Sequence, residues 1–340
     1  MIRFSNGHAF EYMTASGALS FDGKGWTWEQ PWRWIGLLDP TLFTSVTKTL
    51  TLQPTEGNLR WYNPFRCLRL VRDGIVNAVG LSNPGIDWWC RKVGPSVNST
   101  KIPLVASIFG EPEELAEMAG ILNGFDLAGL EINASCPNTE ACILQDTAKV
   151  IACCKAVKTS SRLPLILKVS VAHDVSQIVK EAENLVEAIS INSVPWAIAF
   201  PNRQSPLENL GGGGVSGKAA QQFTWGLVKQ LTELTTIPVI GPSVWDFCDL
   251  EKVRSLGAKA ISFGSVFMCH PWRPTLYVRK ELKLAAPVKM TKPLFSFPKK
   301  NLPPKKNLKS SNPKGSLLRQ RRTGAGGIPP KPHGWRVLPT

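Results

Sequence analysis

The residue types best suited to chemistry lie together in one short segment, Glu131 to Asn138, which reads Glu-Ile-Asn-Ala-Ser-Cys-Pro-Asn. The apolar residues 127–130 before it predict a buried strand, so the segment should open from a strand end into a loop. The thiol of Cys136 stands between the carboxamides of Asn133 and Asn138, and a proline restricts the backbone beside it. Such a segment can hold a base against a planar, hydrogen-bonding substrate, and that chemistry requires a cofactor.

Strand-like apolar runs alternate with helix-like segments along the chain. Strands are predicted for residues 102–108, the run leading to 131, 165–170, 188–192, 237–241 and 260–264. Helices are predicted for residues 111–123, 147–159, 175–186, 219–235 and 247–256, with a glycine-rich loop before 219. Repeated strand–helix units with short connections imply a parallel sheet. A doubly wound sheet is one solution, but the number of units and the chain length favour a (β/α)8 barrel, in which the chemistry lies at the carboxyl ends of the strands.

Polar and glycine residues collect at those predicted strand ends. Thr47 and Lys48 end one strand, Asn192 and Ser193 follow another, and glycines 241 and 264 end the last two. Lys168 lies inside the apolar run Leu-Ile-Leu-Lys-Val, where a charge is costly unless it is paired or turned toward a ligand. Each position alone has an ordinary structural explanation, but their agreement across six strand ends favours a site.

Composition and charge indicate a cytoplasmic protein with a basic tail. The chain has 340 residues, 43% of them hydrophobic, and no apolar run approaches the length of about 18 residues that a membrane span needs. Its eight cysteines form no zinc-like grouping, which favours free thiols in a reducing compartment and no metal site. The net charge of +15 is concentrated in residues 287–340, which hold 13 Lys or Arg and no acidic residue.

The tail is therefore expected to be separate from the folded body, residues 1–286. Residues 287–340 are rich in Pro, Ser and Gly, show no apolar periodicity and are predicted to be disordered. Either the tail is a solvated appendage, or it contacts an anionic surface such as RNA, DNA or a membrane.

Several motifs resemble the dihydroorotate dehydrogenase family, in the family's order and over about residues 4–275. They are Ala15-Ser16-Gly17, the Val-Thr-Lys-Thr run from Val46 to Asn58, the segment from Asn77 to Gly85, Glu131 to Asn138, Lys168, Ile191 to Ser193, the Gly-x-Ser-Gly loop from Gly214 to Gly217, and Gly257 to Ser265. The cysteine at position 136 is similar to class 1 members, since class 2 members carry serine there and a membrane-associated amino-terminal segment.

The resemblance implies an FMN-dependent oxidoreductase that converts dihydroorotate to orotate in pyrimidine (UMP) biosynthesis. The implied FMN-binding residues are Ala15, Ser16, Lys48, Asn133, Lys168, Asn192, Gly217, Gly241, Ser243, Gly264 and Ser265. The implied substrate-binding residues are Lys48, Asn77, Gly80, Leu81, Asn138, Asn192 and Ser193. Cys136 and Lys48 are the implied catalytic residues, with Cys136 removing the C5 proton while hydride leaves C6 for the flavin.

The chain also departs from the family pattern. The loop after the seventh strand usually reads Gly-[Val/Thr]-Gly-Gly-Ile, whereas residues 241–245 read Gly-Pro-Ser-Val-Trp. The hydroxyl of Ser243 is expected to replace a lost phosphate contact. A tryptophan-rich segment at residues 26–34 is atypical, and it is expected to pack beneath the barrel rather than bind a partner.

Other functions and partners stay open on the sequence alone. A tRNA dihydrouridine synthase and a dihydropyrimidine dehydrogenase-like pyrimidine reductase are alternatives, as is a degenerate barrel without activity. Class 1 members of the family form dimers that use fumarate, or reach NAD through a separate electron-transfer subunit. The resemblance implies a homodimer, with that subunit as a further partner, and leaves the electron acceptor undecided.

Overall fold

Strands and helices alternate along the chain, as the sequence predicts. The structure, a computed structural model, describes residues 1–60, 63–134 and 146–282. Strands in these ranges are β1 (Ile2–Arg3), β2 (Ala9–Phe10), β3 (Tyr12–Thr14), β4 (Ser45–Val46), β5 (Leu68–Val71), β6 (Gly74–Asn77), β7 (Leu104–Ile108), β8 (Gly129–Asn133), β9 (Leu165–Val169), β10 (Ala188–Ile191), β11 (Val194–Pro195), β12 (Gly214–Gly217), β13 (Ile240–Gly241) and β14 (Ala260–Phe263). Helices in these ranges are α1 (Gln30–Trp34), α2 (Ile86–Lys92), α3 (Pro112–Leu122), α4 (Thr147–Ser160), α5 (Val175–Ala182), α6 (Trp196–Ala199), α7 (Gln221–Leu234), α8 (Asp249–Ser255), α9 (Ser265–Cys269) and α10 (Arg273–Glu281).

A curled parallel sheet forms the centre of this α/β fold. Strands β4, β7, β8, β9 and β10 pair side by side in that order, and β3, β14 and β13 form a second parallel sheet. Parallel bridges join Met13 to Thr44 and Ile189 to Val239, which connects each end of one sheet to the other. Strand β13 is shorter than the predicted strand 237–241, because Pro238 has no N–H to donate to a ladder.

The interior of the curled sheet is layered along its strands. An apolar cluster near the amino ends includes Val105, Ile166, Ala188 and Ala260, and the amino-terminal hairpin β1–β2 contributes to it. Side chains two residues apart in a strand point to the same face. The next inward residues are therefore polar, and they are Ser107, Lys168, Ser190 and Ser262, all buried. The interior thus changes from apolar to polar toward the carboxyl ends of the strands.

A four-stranded antiparallel sheet was not anticipated from the sequence. Strands β11, β12, β6 and β5 pair in that order, so the residues from Gly214 to Gly217, predicted as a loop, are a strand. The glycines allow this pairing, because a Cβ at Gly213 would lie 2.7 Å from the Asn77 carbonyl oxygen. A two-residue turn at Arg72 and Asp73, the latter with a positive φ of 57°, joins β5 to β6, and Val71 pairs with Gly74 across it.

The helices begin where the sequence supplies capping groups. Asp146 and Asp174 accept backbone N–H bonds at the starts of α4 and α5, and α3 begins at Pro112. No helix in the described ranges has the length and apolar character required to cross a membrane. Across the same ranges, no group of three or more His, Cys, Asp or Glu side chains is arranged to hold a metal ion.

Candidate active site

A buried ion pair lies at the polar end of the sheet interior. The Lys168 Nζ atom lies 3.1 Å from Glu131 Oε1, and the two residues are only 5% and 1% exposed. Strand β9 carries the lysine and the neighbouring strand β8 carries the glutamate, so parallel pairing brings the two side chains together. Of the two options that the sequence leaves for a lysine in an apolar strand, pairing is observed.

Both carboxylate oxygens of Glu131 accept further hydrogen bonds. The Ser107 hydroxyl donates to Oε1 over 3.1 Å, and the Ser190 hydroxyl donates to Oε2 over 2.9 Å. These serines belong to β7 and β10, so four adjacent strands contribute to one polar cluster. A buried carboxylate with three hydrogen-bonding partners is held in one orientation.

The Thr49 hydroxyl connects this cluster to two predicted FMN-binding residues. It lies 3.1 Å from the Ser107 hydroxyl, 2.9 Å from the Ser16 hydroxyl, and 3.1 Å from the Asn133 Nδ2 that donates to it. Thr49 follows β4 and is itself buried. The structure therefore brings Ser16, Asn133 and Lys168 into one buried polar region at the carboxyl ends of the strands.

Asn133 has a buried polar atom without a partner among the described residues. Its Oδ1 is inaccessible and accepts no hydrogen bond, although its Nδ2 donates to Thr49. A buried acceptor without a donor is costly, so a hydrogen-bond donor from a ligand or a water molecule would satisfy it. Asn133 ends β8 and stands three positions before Cys136 in the sequence.

The loop after β3 lies against the predicted lysine Lys48. Gly17 adopts a positive φ of 75°, and a Cβ there would lie 2.8 Å from Lys48 Cδ. The Lys48 backbone N–H donates to the Ser20 carbonyl over 2.9 Å, and the residue takes part in a further interaction. Ala15 is tied to β14 through a hydrogen bond from its N–H to the Phe263 carbonyl. Ala15, Ser16 and Lys48 thus share one end of the sheet.

The tryptophan-rich segment lies beside this loop, and the expectation that it packs beneath the barrel is wrong. The Trp26 indole N–H donates to the Gly17 carbonyl over 2.9 Å, on the carboxyl side of β3. Trp28 stacks on Trp26 with ring centroids 5.1 Å apart, while Trp32 contacts Trp272 near α10. The segment therefore covers the loop that holds Gly17 against Lys48.

Predicted substrate residues lie on the antiparallel sheet and the loop that follows it. Asn77 ends β6, and its Nδ2 donates to the Gly214 carbonyl over 3.3 Å. Gly80 adopts a positive φ of 66°, and Leu81 is buried. Asn83 fixes this loop, since its Oδ1 accepts from the Gly85 N–H over 2.9 Å and its Nδ2 donates to the Leu81 carbonyl.

Asn192 and Ser193 follow β10 directly. The Asn192 Oδ1 accepts from the Ser193 backbone N–H over 2.8 Å, and the Asn192 backbone N–H donates to Val169 at the end of β9. Asn192 takes part in a further interaction as well. These contacts hold both residues at the carboxyl end of the sheet, next to the strand that carries Lys168.

The glycines that are predicted to bind the FMN phosphate pack closely against protein atoms. At Gly217 a Cβ would lie 2.9 Å from the Asp73 carbonyl oxygen and from the Trp245 ring, and at Gly241 it would overlap the Val253 side chain. The small size of these glycines therefore permits packing between protein elements. Gly264 precedes helix α9, which begins at Ser265, and a Cβ at Gly264 would lie 3.2 Å from Ala15.

Ser243 adopts a backbone conformation that favours glycine. Its φ is +63°, which explains why the family pattern has glycine at this position. Its hydroxyl accepts a hydrogen bond from the Thr224 hydroxyl over 3.0 Å, and its carbonyl accepts from the Gln221 side chain. The Ser243 hydroxyl thus accepts a hydrogen bond from α7, and its own O–H can still donate to a ligand.

Cys136 and Asn138 lie outside the described residues. Among the described cysteines, burial raises the pKa of Cys153 to about 11 and that of Cys154 to about 12. Burial also raises the pKa of Cys67. These three thiols remain protonated near neutral pH and are unsuited to act as bases.

Comparison with known proteins decides the family. Residues 36–267 match the model of the dihydroorotate dehydrogenase family. The chain belongs to this family. It is 32% identical to the "Dihydroorotate dehydrogenase B (NAD(+)), catalytic subunit" of Desulforudis audaxviator, over 66% of this chain and 75% of that protein. It is 33% identical to the protein of the same name from Trichlorobacter lovleyi, over 66% of this chain and 76% of that protein. The match to catalytic subunits of the B type agrees with the class 1 resemblance, and the reductase and tRNA-modifying alternatives are not favoured.

Dihydroorotate dehydrogenases are FMN-dependent flavoproteins, and the residues of this chain fit that cofactor. The isoalloxazine ring carries both carbonyl and N–H groups, and the region offers hydroxyl, carboxamide and ammonium groups from Ser16, Asn133 and Lys168. The unsatisfied Asn133 Oδ1 calls for a hydrogen-bond donor at this place. The described part of the chain thus supplies suitable partners for a flavin ring.

Sequence reasoning assigned no role to Glu131, Thr49 or Asn83, although each lies inside a quoted motif. A signal for Glu131 is available in the sequence, because it is an acidic residue in one buried strand while Lys168 is a basic residue in the next. Two opposite charges in adjacent apolar strands indicate an ion pair. Thr49 and Asn83 act through hydrogen bonds between distant loops, which a linear pattern does not reveal.

Proposed function

We propose that this chain is a dihydroorotate dehydrogenase that oxidises dihydroorotate to orotate in pyrimidine biosynthesis with FMN as cofactor. The observation that carries the proposal is the buried polar region at the carboxyl ends of the strands, where Lys168, Asn133 and Ser16 meet in a chain of the matching family. The reaction is an oxidoreduction at a CH–CH bond. Carboxyl strand ends are where α/β barrels place their chemistry.

The cofactor-binding residues of this proposal fall into two groups. Ser16, Asn133, Lys168 and Asn192, with Ala15 and Lys48, would hold the flavin ring, where a positive charge would favour its reduced, anionic form. Gly264 and Ser265, at the start of α9, hold the phosphate through backbone N–H groups. Gly217 and Gly241 would contribute through their backbone, since a Cβ at either position would meet protein atoms, and Ser243 would contribute through its hydroxyl.

The substrate is a small anion with ring amides, and the proposed residues match its groups. Asn77, Asn138 and Asn192 offer paired hydrogen-bond donors and acceptors. Lys48 and the backbone at Gly80 and Leu81, with Ser193, hold the carboxylate. The position of Asn77 on β6 and the fixed loop around Gly80 support this assignment.

Cys136 is the proposed base, and Lys48 completes the catalytic pair. FMN held at this site would supply the acceptor for the hydride that leaves C6 of dihydroorotate. The Cys136 sulfur takes the C5 proton, so the substrate loses one hydride and one proton in forming the C5–C6 double bond. A free thiol has a pKa of about 8.5, so we expect the rate of flavin reduction to rise with pH until the thiolate dominates.

The proposal also includes a closed barrel, the bounds of its domain and a partner protein. The eight parallel strands close into a (β/α)8 barrel, a conclusion supported by the two bridges that connect the sheets. The barrel domain spans residues 1–286, followed by a basic tail at 287–340. The relatives are named as catalytic subunits of an NAD(+) enzyme, which favours a separate electron-transfer subunit as partner of a cytoplasmic homodimer.

The test is the anaerobic reduction of the bound flavin by dihydroorotate, measured through the absorbance of the flavin. The wild-type protein should bleach the flavin, whereas Cys136→Ala should retain FMN and show no bleaching. Cys142→Ala is the matched control, since it removes a neighbouring thiol from the same segment and should bleach at the wild-type rate. Bleaching of Cys136→Ala at that same rate would refute the assignment of the base.

A further inference from the structure

Glu131 is the most deeply buried charged group in the candidate site, and the proposed chemistry gives it no task. Its side chain is 1% exposed and accepts hydrogen bonds from Lys168, Ser107 and Ser190. It does not face solvent and, with its oxygens bonded to protein groups, it is poorly placed to bind substrate. A carboxylate in this position must act through its neighbours.

A chain of hydrogen bonds links Glu131 to other residues of the site. Its Oε1 accepts from Ser107, whose hydroxyl lies 3.1 Å from the Thr49 hydroxyl, and Thr49 contacts both Ser16 and Asn133. The chain crosses from β10 through β9, β8 and β7 to the loops after β4 and β3. Glu131 is therefore bonded to Lys168 directly, and to Ser16 and Asn133 through Ser107 and Thr49.

An ion pair of this kind is a poor device for stability. Burying two charges costs desolvation that their attraction offsets only when the geometry is good, and apolar replacements of similar volume are often equally stable. The layer beneath, with Val105, Ile166 and Ala188 on the same strands, shows that this interior is filled with apolar side chains elsewhere. Buried charges with full hydrogen bonding serve orientation, since each partner has one satisfied arrangement.

We propose that Glu131 is a positioning residue that holds the Lys168 ammonium at the flavin site and, through Ser107 and Thr49, orients Ser16 and Asn133. This inference rests on the proposed function. Without the carboxylate, the Lys168 side chain loses its fixed partner 3.1 Å away, and the Ser107 hydroxyl loses its acceptor. The hydrogen-bonding side chains of the flavin site are then no longer held in their binding orientation. FMN binding weakens, because ordering those side chains costs free energy.

The experiment is a double-mutant cycle on FMN binding to the full-length protein. The dissociation constant of FMN is measured by fluorescence titration for wild type, Glu131→Gln, Lys168→Met and the double variant, each beside a thermal unfolding curve. Because truncating one partner of a buried charge pair is costly, Glu131→Gln should weaken FMN binding about ten-fold or more, equivalent to about 1.4 kcal/mol. The double variant should bind FMN about as weakly as the weaker single variant, since the two residues act as a unit.

A matched control separates positioning from general destabilisation. Glu11→Gln alters a carboxylate that lies 2.8 Å from Arg254, on the residue just before β3 and outside the candidate site. It should lower the unfolding temperature and leave the FMN dissociation constant unchanged. Ser190→Ala removes one hydroxyl from Glu131 and retains every charge, so it should fold and weaken FMN binding less than Glu131→Gln does.

Two results would overturn the inference. The first is a Glu131→Gln variant with a lower unfolding temperature and an unchanged FMN dissociation constant. If Glu131→Gln fails to fold, the two serine variants decide instead. Unchanged FMN dissociation constants in both Ser190→Ala and Ser107→Ala are then the second result that would overturn the inference. A wild-type protein that binds no FMN would overturn the proposed function together with the inference, and the titration of wild type alone distinguishes that case.

Discussion

Gly17 lies so close to Lys48 that a side chain at position 17 would displace the Lys48 side chain. A Cβ at Gly17 would stand 2.8 Å from Lys48 Cδ and 3.4 Å from Lys48 Cα. The Trp26 indole N–H donates to the Gly17 carbonyl over 2.9 Å. The loop after β3 therefore packs along the aliphatic part of the Lys48 side chain and restricts the direction in which its ammonium group points.

Replacement of Gly17 tests whether its packing against Lys48 matters for activity. In Gly17→Ala the new methyl group should push the Lys48 side chain aside, because the Trp26 contact prevents the loop from retreating. Misplacing a catalytic group by about 1 Å can cost up to about a hundred-fold, so we expect kcat/KM for dihydroorotate to fall about ten- to a hundred-fold. Steady-state kinetics with a dye acceptor measures the loss.

Gly7→Ala is the control for this variant. Gly7 has a similar positive φ of 89°, yet nothing lies within 4 Å of its Cβ position. Both substitutions carry the same backbone strain, about 1 to 2 kcal/mol for a residue in the left-handed region. An equal decline of kcat/KM in both variants would show that strain, rather than the Lys48 contact, causes the loss.

The backbone at Ser243 predicts a second, purely energetic effect. Its φ of +63° strains a serine, and its hydroxyl accepts a hydrogen bond from Thr224. Ser243→Gly relieves the strain and loses the hydrogen bond, whereas Ser243→Ala keeps the strain and loses the same bond. The glycine variant should therefore be more stable than the alanine variant by about 1 kcal/mol in urea unfolding. Equal stability of the two variants would contradict the strain.

The parallel core could be predicted from the sequence because its signal is local. Buried strands such as 165–170 and helices such as 147–159 appear within one or two residues of their expected bounds, since each is specified by its own apolar period and caps. The family motifs likewise predicted that Ser16, Asn133 and Lys168 share one end of the sheet. The structure confirms that proximity.

Features that depend on distant partners were missed. The strand from Gly214 to Gly217 has no apolar alternation, and it forms because glycine lets its backbone approach β6. The pairing of β12 with β6 joins residues about 140 positions apart in the chain, which a local pattern does not reveal. The Glu131 network has the same character, because its hydroxyls come from strands that are adjacent only after folding.

A buried carboxyl in the tryptophan-rich segment predicts a dependence of stability on pH. Burial raises the pKa of Glu29 to about 7, from 4.5. The folded protein therefore binds this proton more tightly than the unfolded chain does, and ionisation opposes folding. The free energy of unfolding should fall as the pH rises from about 4.5 to about 7, by up to about 3 kcal/mol, and this contribution should be constant above that range.

Glu29→Gln isolates this effect from the other titrating groups. Glutamine keeps an acceptor for the Trp26 backbone N–H that Glu29 binds over 2.8 Å, but it cannot ionise. The variant should match wild type near pH 4.5 and exceed its stability at pH 8, as urea unfolding at each pH will show. Glu233→Gln, on the exposed face of α7, should change stability by less than about 0.5 kcal/mol. A constant difference between Glu29→Gln and wild type across the range would disprove the assignment.

Asn83 should govern both the stability of the loop after β6 and the affinity for substrate. Its buried side chain bonds the Gly85 N–H, the Thr51 N–H and the Leu81 carbonyl, at 2.9, 3.2 and 2.6 Å. In Asn83→Ala these backbone groups lose their partner, and each unsatisfied buried group costs about 1 to 3 kcal/mol. We expect the free energy of unfolding to fall by about 2 to 4 kcal/mol in total, since water reaches part of the loop.

The kinetic part of this prediction concerns the substrate carboxylate. Release of the Leu81 carbonyl loosens the backbone of Gly80 and Leu81, so the KM for dihydroorotate should rise while the FMN dissociation constant stays at the wild-type value. Asn98→Ala is the control, because Asn98 makes similar loop hydrogen bonds, to Thr100, at an exposed position before β7. A raised KM in Asn98→Ala as well would trace the effect to general destabilisation, whereas a rise confined to Asn83→Ala places the carboxylate against the Gly80–Leu81 backbone.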